Sequence, residues 1–236
     1  MSSHAISRFD HKWATSLGGR AGQSSQQPLL LSERAYRQIK EKIITLELPP
    51  ASVINEKALQ AELGMGRTPI REALNRLVAD KLVVIIPRRG TMVADVRLTD
   101  LQHIFDVRLP LECLAAREAA LNIRPEELQA MEGLLARSAD IVERQDRRAL
   151  TELDRQFQRL MYQATRNPFL FETLDWLYGL SLRIWHLALH RIERFQETVD
   201  GLSSILAALQ ARDPNRAETA VRCHVTEFHQ HIRSFV

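Results

Sequence analysis

The sequence predicts a mainly α-helical chain, in which three helices and a small β-hairpin precede an antiparallel bundle of six helices. Three observations lead to this fold class. Two short amphipathic segments are separated by a glycine, Gly64. Two β-branched runs flank a turn at residues 87–90. From Thr99 onward the apolar residues recur only at helical spacing.

The first 31 residues lack apolar periodicity and are rich in Gly, Ser and Gln. Such a segment predicts a flexible arm, because it offers too little apolar surface to offset the entropy of ordering it. A helix then begins at about Ser32 and extends to about Leu46. It ends before Pro49 and Pro50, since proline prevents the helix from continuing.

The next two helices form a helix-turn-helix. Asn55 is a favourable N-cap for the first, and Gly64 occupies the position of a C-terminal glycine. Gly66 or Thr68 can cap the second helix, and Pro69 is tolerated in its first turn because the first amide protons have no helical partner.

The second of these helices predicts a DNA-reading element. Its apolar residues form one buried stripe, whereas Arg67 and Arg71 share another face near the helix start, where phosphate is also favoured. The following hairpin carries Arg88 and Arg89 at its tip, as in the wing of a winged helix. For any single element, the alternative is an ordinary packing unit with solvated charges; the ordered set favours DNA binding.

The remainder of the chain predicts only helices. Thr99 begins a long first helix, in which Pro110 predicts a kink. Breaks then separate five further helices, which span about residues 125–144, 147–165, 169–191, 195–211 and 213–235. Short loops between long helices are typical of an antiparallel bundle. The predicted organisation is therefore an arm at 1–31, a winged helix-turn-helix at 32–95 and a helical domain at 96–236.

Charge is distributed unevenly along the 236 residues. Residues 32–97 carry twelve Lys and Arg against eight Asp and Glu, whereas residues 98–236 carry seventeen against twenty. A basic segment that coincides with the helix-turn-helix fits a phosphate-binding surface. No apolar run is long enough to span a membrane, no secretory leader is visible, and the two cysteines lack metal-ligand spacing, so a cytoplasmic protein is expected.

At the level of specific residues, the N-terminal part resembles the winged helix of GntR-family bacterial transcription regulators. The resemblance depends above all on Arg67-Thr-Pro-Ile-Arg-Glu-Ala-Leu74 and on Arg89-Gly90. It implies double-stranded DNA as a partner. The implied DNA-contact residues are Lys57, Gly66, Arg67, Thr68, Pro69, Arg71, Arg76, Arg88, Arg89 and Gly90.

The helical part resembles the FCD effector domain that accompanies such winged helices in the FadR-like branch. The residues that carry this likeness are Val107-Arg-Leu-Pro-Leu-Glu112, Leu153-Asp-Arg-Gln-Phe157, Asn167-Pro168, Arg212-Asp-Pro214 and His224. The resemblance implies a pocket for a small organic acid, and in many members a divalent metal held by one aspartate and three histidines. It implies as effector-binding residues Arg108, Asp154, Gln158 and His224.

Two of the four metal ligands are missing from this sequence. Gln158 replaces one histidine, and no histidine lies near Leu202, where the second is expected. Asp154 and His224 alone make a poor site for a zinc- or nickel-type ion, so no metal or other cofactor is expected. Arg108 is the expected partner of a ligand carboxylate, although an ion pair with Glu112, four residues along the helix, is the open alternative.

These observations predict a ligand-responsive transcription regulator, a homodimer that binds a pseudo-palindromic operator. Repression released by ligand is the common arrangement among the proteins it resembles, while the sequence leaves the sign, the effector and the operator open. The alternative is a sequence-specific or architectural DNA binder whose helical domain serves dimerisation only. An enzyme with Asp154 and His224 as acid and base is not expected, since no nucleophile elbow, phosphate-binding glycine loop or full metal set is present.

Overall fold

The computed structural model describes residues 30–188 and 195–233. Except for its last two residues, the predicted N-terminal arm lies outside them. The described chain contains α1 (Leu31–Ile44), α2 (Glu56–Leu63), α3 (Arg67–Ala79), β1 (Val83–Ile86), β2 (Gly90–Val93), α4 (Leu98–Asn122), α5 (Pro125–Leu135), α6 (Ser138–Glu143), α7 (Arg147–Ala164), α8 (Pro168–Ala188), α9 (Phe195–Gln210) and α10 (Pro214–Arg233). Among the described helices, none combines the length and the apolar character needed to span a bilayer.

Local capping signals define the ends of α2 and the start of α3. The side chain of Asn55 accepts the amide proton of Ala58 at 3.1 Å, and Gly64 adopts φ +62° while its N–H donates to the carbonyl of Gln60. Gly66 is the N-cap of α3, in extended backbone. These are the turn residues that the sequence predicted, so the helix-turn-helix is confirmed.

The wing is an antiparallel hairpin in which Val83 pairs with Val93 and Ile86 with Gly90. Its turn contains two left-handed residues, Arg88 at φ +66° and Gly90 at φ +89°. Residues 51–54 extend the sheet on the other side of β2, where the amide of Ile54 donates to the carbonyl of Thr91 at 2.9 Å. The wing is thereby fixed to the chain that leads into α2.

Each part has its own apolar core. The winged-helix core gathers residues of α1, α2, α3 and the hairpin, including Ile39, Leu59, Ile70 and Leu77. In the second part α4 packs against α7, α8 and α10, and it remains one continuous helix through Pro110. The helices around it begin at side-chain caps, since Asn167 accepts the amide protons of Phe169 and Leu170 and Asp146 and Asp213 act in the same way.

One predicted helix of the bundle is divided in two. The sequence predicts a single helix over about 125–144, whereas α5 ends at Leu135 and α6 begins at Ser138, so α4 to α10 give seven helices in the described chain. The Ser138 hydroxyl donates to the carbonyl of Leu135 at 2.7 Å. Serine competes in this way with the helical ladder, and the nearby Gly133 lowers helix propensity further.

The winged helix and the bundle meet where α8 approaches α1. A Cβ placed on Gly179 would lie only 3.2 Å from Cδ1 of Ile44, so the absence of a side chain permits this approach. An apolar cluster at the junction contains Ile44 and Leu101 together with Leu182 and other residues of α8. The indole N–H of Trp176 also donates to the carbonyl of Asp80, at the end of α3, at 2.9 Å.

We expect Gly64→Ala to lower the free energy of unfolding by about 1 kcal/mol, because alanine is strained at φ +62°. Gly133→Ala is the matched control. It lies in the exposed interior of α5, where a Cβ also meets no atom, and should raise stability by about 0.5 kcal/mol through helix propensity. Urea unfolding of the two variants measures both effects. A stable Gly64→Ala protein would contradict the assigned helix end.

Candidate functional site

The N-terminus of α3 presents an uncapped helix start to solvent. Gly66 offers no side chain to its amide protons. Arg67, Thr68 and Arg71 are exposed and Pro69 is half-buried. Within the described chain, neither arginine has a side-chain hydrogen-bond or ion-pair partner. Free amide protons, the helix dipole and two uncompensated guanidinium groups together attract a phosphate or the edge of guanine.

The wing and α2 extend this basic surface. Arg88 and Arg89 are exposed at the hairpin turn beside Gly90, and Lys57 is exposed in the first turn of α2. The described residues provide no side-chain partner for these three cations. A recognition helix with basic groups on either side is the arrangement by which winged helices hold a duplex.

Arg76, which is also among the expected DNA contacts, differs from Arg67 and Arg71 in having partners within the chain. Its Nη1 lies 2.7 Å from Glu33 Oε2, and its guanidinium stacks 4.0 Å from the centre of the Tyr36 ring. Arg76 therefore attaches α3 to α1. The arginines of α3 without a partner in the described chain are those of its first turns.

Inside the bundle, the expected effector residue Arg108 is buried and paired. Its Nε donates to Glu112, one turn along α4, and Tyr162 donates its hydroxyl proton to the same carboxylate oxygen at 2.7 Å. Burial opposes the charged form of Arg108, but the Glu112 carboxylate raises its pKa above the ordinary value. The alternative ion pair considered from the sequence is therefore present. The charge of Arg108 is therefore already compensated within the protein before any ligand binds.

Asp154 and His224 also meet, as the sequence predicted. Nε2 of His224 lies 3.1 Å from Oδ1 of Asp154, and Tyr178 donates its hydroxyl proton to Oδ2 of the same carboxylate. Burial alone would raise the pKa of Asp154, but the hydrogen bond and charge of His224, then Tyr178 and Arg108, hold it below its ordinary value of 3.8. The guanidinium of Arg108 lies 4.6 Å from the centre of the Tyr178 ring, which joins the two groups into one cluster.

The space between these groups is small. A cavity of about 10 Å³, lined by Arg108, Asp154, Tyr178 and His224 among others, has room for about one water molecule. Gln158, on the same face of α7 as Asp154, is fully buried, and neither its Oε1 nor its Nε2 has a partner. An organic acid would need the surrounding helices to move apart before it could enter.

The donor set does not fit the metal that the resemblance implies. No group of three His, Cys, Asp or Glu side chains in the described residues could hold an ion. Where a second histidine is expected, Gly201 lies so close that a Cβ there would be 2.6 Å from Nδ1 of His224. Both oxygens of Asp154 already accept hydrogen bonds. Hydrogen bonds within the protein thus take the place of metal coordination.

Sequence reasoning missed the two tyrosines of this cluster and the buried Arg183. Tyr162 and Tyr178 lie on apolar helix faces, where an aromatic residue is ordinarily a core residue. A buried hydroxyl needs an acceptor, however, and the carboxylates of Glu112 and Asp154 were available as a signal. Arg183 interrupts the apolar run of α8 without a neighbouring acid, which was a second unused signal.

The pH dependence of stability tests the Asp154 cluster. Because the folded-state pKa of Asp154 is depressed, its contribution is fully present above about pH 4 and is lost as the pH falls below that value. We expect Asp154→Asn to cost about 2 kcal/mol at pH 6, the strength of a charged buried hydrogen bond. The difference from the unmodified protein should shrink as the pH falls below about 4 and the carboxylate of the folded protein is protonated.

Asp140→Asn, which removes an exposed carboxylate from a surface pair with Arg144, is the control and should show little difference at any pH. Urea unfolding at a series of pH values measures both variants. A stability difference for Asp154→Asn that is independent of pH would contradict the ionised state assigned to the buried cluster.

Comparison with known families gives one match in the winged helix and another in the helical bundle. Residues 31–93 match the bacterial regulatory proteins of the gntR family. Residues 103–227 match the FCD domain, which alone accounts for more than half of the chain.

Relatives are similar over nearly the whole chain. The HTH-type transcriptional repressor RspR of Escherichia coli is 25% identical over 86% of this chain and 89% of its own length. The HTH-type transcriptional regulator McbR of the same organism is 28% identical over 81% and 88%. The solved structure of E. coli McbR/YncC shares the fold at a TM-score of 0.80 and 24% identity, covering 87% of this chain and 98% of that one. The chain thus belongs to the gntR family of bacterial regulatory proteins, with a helix-turn-helix followed by an FCD domain.

Proposed function

We propose that the protein acts in the cytoplasm as a homodimeric repressor that binds a pseudo-palindromic operator and is released from it by a small organic acid. The family and its relatives support transcription regulation as the general role. The finer parts of the proposal follow from the residues. They concern the contacts with DNA, the assembly and the effector.

The observation that carries the proposal is that the arginines of α3 differ in whether they have a partner within the described chain. Arg67 and Arg71 have no partner within the described chain, whereas Arg76 on the same helix is occupied by Glu33 and Tyr36. If α3 served only to pack against the core, nothing would require two unpaired arginines, Arg67 and Arg71, at its uncapped N-terminus. Arg67 and Arg71 therefore read base edges and adjacent phosphates, and Thr68 lies between them.

Homodimerisation follows from the geometry of this mode of binding. One recognition helix contacts only a few base pairs, which gives limited specificity against a genome of competing sites. Two copies related by a two-fold axis place their α3 helices about one DNA turn apart, and the operator is then an inverted repeat. Arg88, Arg89 and Lys57 contact the phosphates on either side.

The effector proposal depends on the position of α8. One residue of this helix, Tyr178, binds Asp154 in the buried cluster, and the next, Gly179, lies against α1 of the winged helix. An acid that enters the cluster competes with Glu112 for Arg108 and shifts α8. That movement changes the placement of the winged helix. The resulting coupling free energy between acid binding and DNA binding is about 1–3 kcal/mol.

A second candidate function is DNA binding without an effector at this cluster. The small cavity and the internal pairing of Arg108 favour it, because every charge is already neutralised by the protein. In that case the FCD domain serves dimerisation, and small acids leave the DNA affinity unchanged. The operator experiment below supplies the DNA probe with which the two functions are compared.

We expect selection from a random duplex pool to enrich a short inverted repeat, because two α3 helices read related half-sites. An Arg67→Ala/Arg71→Ala double variant, selected in parallel, should enrich no sequence. Analytical ultracentrifugation of the selected complex checks that two chains bind each duplex. Enrichment of the same repeat by the double variant would exclude α3 as the reading element.

On the selected operator, we expect Arg71→Ala to weaken binding by about 1–3 kcal/mol, as loss of a base contact does. Arg76→Ala is the matched control on the same helix. It should lower thermal stability by breaking the Glu33 and Tyr36 contacts, yet change the affinity of the folded protein little. Fluorescence anisotropy at several salt concentrations gives both quantities. If Arg76→Ala had the larger effect on affinity at equal folding, the assigned orientation of α3 would be incorrect.

A further inference from the structure

A cavity of about 360 Å³ lies between the winged helix and the bundle, separate from the Arg108 cluster. Its walls come from Lys81 after α3, from Asp95 and Val96 in the segment before α4, and from residues of α4 and α8. The volume falls within the range of small-molecule sites. A ligand here would touch both parts of the protein at once.

The floor of this cavity contains a buried cation without an acid. Arg183 is only 3% exposed. Its Nη2 donates to the backbone carbonyl of Ala94 at 2.5 Å, and its Nε has no partner. No carboxylate in the described part of the chain forms an ion pair with it. Burial lowers the pKa of Arg183 to about 10, and only Asp95 opposes this effect.

A buried, unpaired guanidinium is costly, because neither water nor a counter-charge replaces its hydration. The contrast with Arg108, which has Glu112 as its partner, is informative. The Ala94 carbonyl accepts a hydrogen bond from one donor of Arg183, but it does not neutralise the charge of the guanidinium. An anion in the cavity would supply what the fold lacks, and a carboxylate matches the guanidinium in shape as well as in charge.

The rest of the lining indicates the shape of the anion. Lys81, Asp95, Asp100 and His103 are exposed, and they place groups of both signs at the rim. The walls between rim and floor are apolar and include Val96, Ile104, Val107, Leu177 and Ile184. The buried floor thus has one positive charge and the walls suit hydrocarbon, while the rim carries Lys81 and His103 against Asp95 and Asp100.

We propose that this junction cavity binds a small monocarboxylate with an apolar body, whose carboxylate accepts hydrogen bonds from Arg183. The apolar body packs between α4 and α8. Arg183 also donates to the carbonyl of Ala94 at the end of the hairpin. A ligand bound to Arg183 therefore changes this hydrogen bond between the bundle and the winged helix. The site is distinct from the buried cluster and does not require an acid to enter there.

The test is calorimetric titration of the full chain with sodium phenylacetate, hexanoate and 3-methylbutanoate, each beside its neutral amide. We expect at least one carboxylate to bind with a Kd below about 1 mM and its amide about tenfold or more weakly, because only the acid pairs with the guanidinium. Arg183→Met should weaken carboxylate binding by a similar factor. Arg155→Met, which removes a cation bound to Glu41 outside the cavity, should leave it unchanged.

A second pair of variants covers the case in which Arg183→Met fails to fold. Val107 lines the cavity and is 51% exposed, so substitution there spares the core. We expect Val107→Glu to weaken carboxylate binding several-fold more than the isosteric Val107→Gln, since only the former repels the anion. Equal binding by these two variants would overturn the proposal.

Two further outcomes would also overturn it. One is the absence of carboxylate binding up to about 10 mM in the unmodified protein. The other is loss of binding in Arg108→Lys with retention in Arg183→Met, which would assign the acid to the buried cluster instead. Because binding is measured without DNA, a failure here leaves the operator proposal intact, and a failure of operator selection leaves this site intact.

Discussion

The close approach of α1 to α8 is the constraint on which the relation between the two parts depends. A Cβ at position 179 would lie 3.2 Å from Cδ1 of Ile44, so a larger residue here would require the Ile44 side chain to move by a few tenths of an ångström. The apolar cluster around Ile44, the Trp176–Asp80 hydrogen bond and the Arg183–Ala94 hydrogen bond all involve residues of α8. Widening this contact would weaken all three at once. The contacts of α8 therefore contribute much of the junction, to which Leu101 of α4 and the Arg155–Glu41 pair between α7 and α1 add.

Buried charge is handled in two different ways within this chain. In the buried cluster of the bundle, Arg108 pairs with Glu112 and Asp154 with His224, and two tyrosine hydroxyls donate to these carboxylates, although Oε2 of Glu112 has no partner in the described chain. Removal of one member of such a network is costly, because its buried partners are left without a hydrogen bond or a counter-charge. At the junction Arg183 has no such partner. In the first arrangement the buried charges are paired within the protein, whereas in the second a buried guanidinium has a backbone carbonyl as its hydrogen-bond partner in the described chain.

The sequence predicted most of the local structure because the relevant signals are local. Asn55, Gly64 and Gly66 mark helix ends through their own backbone preferences, and Arg67 and Arg71 share a face by spacing alone. The features that the sequence did not reveal are contacts between distant parts of the chain. The partner of Arg76 is 43 residues away on α1, and the acceptor of Tyr178 lies on another helix. Spacing along one helix cannot reveal either.

The division of the arginines on α3 also bears on how such a regulator can diverge. Arg76 is tied to the fold through Glu33 and Tyr36, so its replacement carries a structural cost. Arg67, Thr68 and Arg71 touch nothing that holds the domain together. Mutations there can alter the surface proposed to contact DNA while the scaffold persists. After gene duplication, two copies could diverge in their regulatory targets by changes at these positions, with the fold inherited intact.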